Sequence, residues 1–129
     1  MNPDLLKIKE ASAGLYYLSE SDYPFEVVQF DDTNHIESSL IELSHLDKSS
    51  KVEKVTLEYF FRNMTKVYPE STDDQKMFAA KFIMLQNMLQ EELTDIVVYR
   101  VGETRIDAFI IGKLKDGTLG GLKTKVVET

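Results

Sequence analysis

Apolar positions near the start of the chain recur at helical spacing. Leu5, Ile8, Ala11, Leu15 and Leu18 stand three and four apart and form one stripe. Asn2 is placed to cap such a helix, Pro3 suits its first position, and Asp4 suits the positive end of its dipole. The pattern predicts a helix from about Pro3 to Leu18, with Gly14 marking close packing at a cost of about 1 kcal/mol against alanine. Ser19-Glu20-Ser21-Asp22-Tyr23-Pro24 then reads as a polar loop. Phe25 to Phe30 follows as a strand, with Phe25 and Val27 on one face and Val28 and Phe30 on the other.

After a break at Asp31-Asp32-Thr33-Asn34, Asn34 and Glu37 resemble a capping box, and Ile36, Leu40 and Leu43 outline a short helix. Lys48 to Lys51 reads as a loop, Val52 to Thr56 as a short strand, and Leu57 to Met64 as a short helix. The longest helical pattern runs from Thr72 to about Leu93. Thr72 and Gln75 form its capping box, and Asp73 and Asp74 lie in its first turn. Phe78, Phe82, Leu85 and Leu89 keep the spacing, while Met77, Ile83, Met84 and Met88 widen the stripe. A helix apolar over so wide an arc is expected to be largely buried, with its methionines filling the core.

Three strands close the chain: Ile96 to Val101, Arg105 to Leu114 and Leu119 to Val127. Gly102-Glu103 and Asp116-Gly117 are the predicted hairpin turns. Both faces of the first two strands are apolar, as in a sheet covered on both sides. The pattern predicts an α+β fold, with helices on both faces of a mixed sheet that ends in an antiparallel three-strand meander.

At 129 residues the chain is expected to form a single domain spanning 1–129. Its 22 acidic residues outnumber its 15 basic ones, for a net charge of −7. That charge opposes direct binding to nucleic acid and complements a partner with a basic cleft, although solubility explains it equally well. With no cysteine, disulfides, thiolate catalysis and cysteine-held zinc are excluded. No secretory signal and no membrane-length apolar run is visible, so a cytoplasmic location is expected.

The residues display no catalytic set. His35 and His45 stand ten apart, unlike a helical metal pair. The glycines open no helix and so build no phosphate loop. Asp31-Asp32, Asp73-Asp74 and Glu91-Glu92 read as a turn, a helix start and a solvated helix end. One oxygen cluster stands out. Glu128 and Thr129, at the last residues of the sequence, offer a carboxylate, a hydroxyl and the α-carboxylate, a donor set suited to a hard cation such as Mg²⁺. A frayed terminus accounts for the same residues.

Two segments go further. Ser19-Glu20-Ser21-Asp22-Tyr23-Pro24-Phe25-Glu26-Val27 and Thr124-Lys125-Val126-Val127-Glu128-Thr129 closely resemble the nuclease A inhibitor family. Tyr99 to Glu103 and the stretch from Gly112 to Gly121 also look like that family. The resemblance covers nearly the whole chain and is thin between Thr33 and Thr72. It implies a three-layer α/β/α sandwich and a small acidic protein, not an enzyme and without a cofactor of its own. The implied activity is inhibition of a metal-dependent, sugar-non-specific endonuclease, in a 1:1 complex formed by a monomer.

In the family the final threonine reaches the nuclease's catalytic metal, which maps to Thr129, and the glutamate of the Ser-Glu-Ser loop meets a nuclease arginine, which maps to Glu20. The family's Asp-Trp pair before the long helix does not transfer, because Pro69 and Glu70 align there and the chain has no tryptophan. Tyr68 and Glu70 stand in as candidate aromatic anchor and acid, and Glu128 as a supporting acid or as plain surface charge. Loss of the tryptophan implies a cost of about 2 kcal/mol, or roughly thirtyfold in affinity. The rival readings are a non-catalytic interaction domain with a different protein partner and, more remotely, a cryptic hydrolase.

Overall fold

A computed structural model describes residues 2–31, 35–44 and 50–128. In chain order the elements are α1 (Pro3–Ser12), β1 (Tyr16–Leu18), β2 (Asp22–Pro24), β3 (Glu26–Phe30), α2 (Ile36–Leu43), β4 (Val52–Val55), α3 (Leu57–Phe60), α4 (Asp73–Glu92), β5 (Thr94–Val101), β6 (Arg105–Lys113) and β7 (Leu119–Val127). Five strands form one sheet in the order β3-β7-β6-β5-β4, and β1 pairs with β2 as a separate hairpin.

The α+β class and the closing β5-β6-β7 meander are as the pattern predicts. The sheet, however, is antiparallel in every pair rather than mixed. Apolar residues on both faces report burial, not strand direction, so the two-sided pattern did not require a parallel pair.

The two faces of the sheet pack separately. Leu5 and Ile8 of α1, Leu57 and Phe60 of α3, and Phe82, Leu85 and Leu89 of α4 cluster with Val98, Ile110 and Leu122 of the sheet. On the other face Leu40 of α2 packs with Tyr99, Val101, Phe109 and Ile111. The alternation read in β3 holds, with Val27 against the first cluster and Val28 and Phe30 against the second.

α4 begins as expected. The Thr72 N–H donates to Gln75 Oε1 at 2.9 Å, and the Gln75 N–H donates to Thr72 Oγ1 at 3.1 Å. Its methionines do not fill the core: Met77 is 59% and Met84 68% exposed, and only Met88 packs against the buried cluster. Ala79, Phe82, Leu85 and Leu89 already supply the buried stripe, and residues on the far side of a 20-residue helix face solvent whatever their chemistry.

α1 stops at Ser12, six residues short of Leu18. Gly14 takes a φ of +76° with open space around its missing side chain, so it turns the chain rather than admitting a close neighbour. The residues after it form β1. The predicted cap at Asn34 lies outside the described residues; α2 itself is present.

Both meander turns differ in detail from two-residue hairpins. At Lys115-Asp116-Gly117 the Leu114 N–H donates to Thr118 O and the Gly117 N–H to Leu114 O, with Gly117 at φ +90°. That is the three-residue turn closed by a left-handed glycine. The β5–β6 ladder stops at Val101 opposite Asp107. Arg105 and Ile106 pair only with β7, and the intervening loop donates from Gly102 N–H to Lys51 O and accepts at Thr104 O from Glu128 N–H.

Candidate functional site

β7 is longer than its neighbour β3. Their ladder ends at Glu26 opposite Lys123, so the last residues of β7 have no β3 partner on that edge. Unpaired backbone groups at a sheet edge need other partners. The β1–β2 hairpin supplies them for Val127 and also takes a side-chain bond from Thr124. Thr124 Oγ1 donates to Pro24 O at 2.9 Å, the Val127 N–H donates to Ser19 Oγ at 3.1 Å, and the Glu20 N–H donates to Val127 O at 3.3 Å. The tip is also braced internally, since Ser19 Oγ donates to Ser21 O at 2.8 Å. The segment expected as a loop is therefore a hairpin whose acidic tip, Ser19-Glu20-Ser21, is bonded to the end of the last strand. Two three-residue strands, one ending in proline, carry too few alternating positions to be read as strands.

The hairpin is anchored from below by Tyr17. Its ring stacks on Phe60 with centroids 4.3 Å apart, and its hydroxyl donates to Phe60 O at 3.0 Å. Burial raises the phenol's pKa, against the opposing pull of the Arg100 and Arg62 guanidinium groups.

Glu128 follows directly. Its N–H donates to Thr104 O at 2.9 Å, and its Oε1 lies 2.7 Å from Arg100 Nη2. The arginine is the better shielded member, 12% exposed against 51% for the glutamate. Arg100 Nε also lies 3.5 Å from Glu53 Oε1. These groups line an open, mostly polar cleft of about 600 Å³ with Tyr59, Arg62 and Ile106, where the Arg62 guanidinium stacks over the Tyr59 ring at 3.8 Å. Sequence reasoning passed over Arg100. A lone charge inside an apolar strand was the available signal, because a shielded guanidinium needs a partner.

Tyr68 is 54% exposed, in a turn closed by the Ser71 N–H donating to Tyr68 O and the Tyr68 N–H donating to Ser71 Oγ. It lines an apolar groove of about 390 Å³ with Leu18, Met64 and Phe78. Leu18 immediately precedes the hairpin tip, so the groove joins the Tyr68 turn to the Glu20 tip. The structure thus brings Glu20 and Glu128 to the end of β7, and Tyr68 shares a groove with Leu18, two residues before Glu20, while Glu70 is exposed on the Tyr68 turn. Thr129, the residue expected to reach a metal, lies outside the described residues, as does His45. Among the described residues no group of three or more histidine, aspartate or glutamate side chains is gathered to hold a metal ion. Nor, among them, is any helix long and apolar enough to cross a membrane.

Comparison with known families matches residues 3–129 to the nuclease A inhibitor-like proteins. The chain belongs to that family. No match is found among curated proteins. Membership in the nuclease A inhibitor-like family points to a nuclease inhibitor with a nuclease as its partner. It also gives the arrangement around β7 a setting: an acidic tip bonded to the strand that leads to the last residue of the sequence.

Proposed function

We propose that this member of the family blocks a metal-dependent, sugar-non-specific endonuclease by docking one edge of the molecule into the enzyme's basic cleft. Glu20, carried on the hairpin tip, pairs with an arginine of the enzyme, a contact that strengthens as water is excluded. Thr129 offers its hydroxyl and terminal carboxylate to the enzyme's metal, in positions that a substrate phosphate and water would use. Tyr68 and Glu70 extend the contact along the neighbouring turn, and no residue of the inhibitor undergoes chemistry. The net charge of −7 favours approach to a basic cleft.

One observation carries this reading: Ser19 and Glu20 are each hydrogen-bonded to Val127, so the acidic tip and the strand leading toward Thr129 form one preorganised unit. Groups held in place before binding lose less entropy on association.

The test is a titration of a metal-dependent, sugar-non-specific endonuclease with the pure protein. Activity should fall to zero at one equivalent. Deleting Thr129, or extending the chain beyond it, should weaken inhibition at least roughly thirtyfold. Equal inhibition by native, shortened and extended forms would sink the proposal. A second reading, an interaction domain of the same fold with a different protein partner, is favoured by the missing tryptophan. It gains ground if the native protein leaves such nucleases fully active.

A further inference from the structure

A metal-reaching terminus works only if it leaves the fold in a defined direction, and the residues just before it are held on three sides. The hairpin tip bonds both backbone groups of Val127. The β5–β6 loop accepts the Glu128 N–H at Thr104 O. The third restraint comes from β5, two strands away in the sheet.

We infer that Arg100 is a positioning residue for the inhibitory terminus, acting through its ion pair with Glu128; this rests on the function proposed above. Arg100 and Glu128 reach each other along one side of the sheet, with Ile106 of the intervening strand lining the same cleft. The guanidinium is itself held from behind by Glu53, 3.5 Å from its Nε, and is shielded from solvent. The acid is the exposed member, so its carboxylate is the movable group and the arginine the fixed one. At 2.7 Å the contact is a charge-assisted hydrogen bond with a preferred direction. It turns the Glu128 carboxylate back onto the chain's own arginine. Glu128 thereby orients the terminus and leaves metal ligation to Thr129.

A purely structural role would change inhibition by the same factor whether or not Thr129 is present, and that difference supplies the test. Inhibition of the same endonuclease is measured for four forms: native, Glu128→Gln, Thr129 deleted, and both changes together. Glu128→Gln should weaken inhibition by roughly tenfold in the full chain and by less than about twofold once Thr129 is gone. Hydrogen exchange at the Glu128 amide should accelerate by about tenfold in Glu128→Gln and in Arg100→Lys, and the exchanged pair Arg100→Glu with Glu128→Arg should recover part of the lost inhibition. Equal losses in the presence and absence of Thr129, or no loss in the full chain, overturn the inference while leaving the proposed function standing. If deleting Thr129 alone has no effect, the proposed function falls, and this inference falls with it. Because Glu128 is half exposed, its substitution tests the pair even if Arg100 variants fail to fold.

Discussion

The two ends of β7 use charge in opposite ways. Where the strand begins, the acid is buried and the cations are exposed. Glu92, 7% exposed at the end of α4, lies 3.4 Å from Lys7 Nζ and 3.3 Å from Lys115 Nζ, and Lys115 also approaches Asp4 at 3.5 Å. Both lysines are more than half exposed. Where the strand ends, the cation is shielded and the acid is exposed. The first arrangement ties α1, α4 and the β6–β7 turn together, because a buried carboxylate is costly without its partners. The second contributes little to stability, since a half-exposed pair gains modestly in water. It leaves a carboxylate at the surface, aimed by a fixed partner. One end of the strand ties three elements of the fold together, and the other leaves its acid half exposed.

The change with the largest expected effect erases this contrast. Gly121 sits mid-strand, paired with Val28 on one side and Ile111 on the other. A Cβ there would run into the Ile110 carbonyl oxygen. Gly121→Ala should cost about 3 kcal/mol or more in urea unfolding, and inhibition should fall with the folded population. A stable and fully inhibitory Gly121→Ala would show that β7 is not the rigid bar joining the two ends.

Glu92→Ala sharpens the contrast. It removes two charged contacts and a buried side chain, so stability should drop by about 2 kcal/mol while inhibition per folded molecule stays unchanged. Glu128→Gln should do the reverse. If Glu92→Ala weakens inhibition without unfolding the protein, the division of labour is wrong.

The smallest effect concerns pH. The Thr118 hydroxyl and N–H, with help from Asn2, lower the Asp116 pKa below its ordinary 3.8. A depressed carboxylate stabilises the fold above the unfolded value and loses that contribution as pH falls through its folded value. Protection of the Thr118 amide should therefore decline below pH 3.8. Asp116→Asn should remove that dependence. No acid-dependent change at Thr118 would mean that the carboxylate does not brace the turn.

Local order was legible in the residues themselves. The capping box at Thr72 and Gln75, the stripe through Phe82, Leu85 and Leu89, and the alternation in β3 each depend on neighbours within a few positions, and each is found. Asp116-Gly117 marked a turn, though not its three-residue form. Patterns that report burial misled where burial has more than one cause. Two apolar faces suggested mixed strand directions, and a wide apolar arc suggested buried methionines at positions that face water.

The candidate site divides along the same line. Glu20, Tyr68, Glu70 and Glu128 were named from the residues and a family resemblance. That the Glu20 tip is bonded to Val127, and that Glu128 is gripped by Arg100, depends on contacts between residues 28 to 108 positions apart. Composition and short-range periodicity determined the long helix α4, the strands of the five-stranded sheet and the net negative charge, because those follow from local propensity and from which positions shun water. Only tertiary structure decided which side of β7 lacked a partner, which hairpin filled it and which arginine faced the last acid. Edge pairing and partial burial are properties of chain segments brought together, and no window along the sequence contains them.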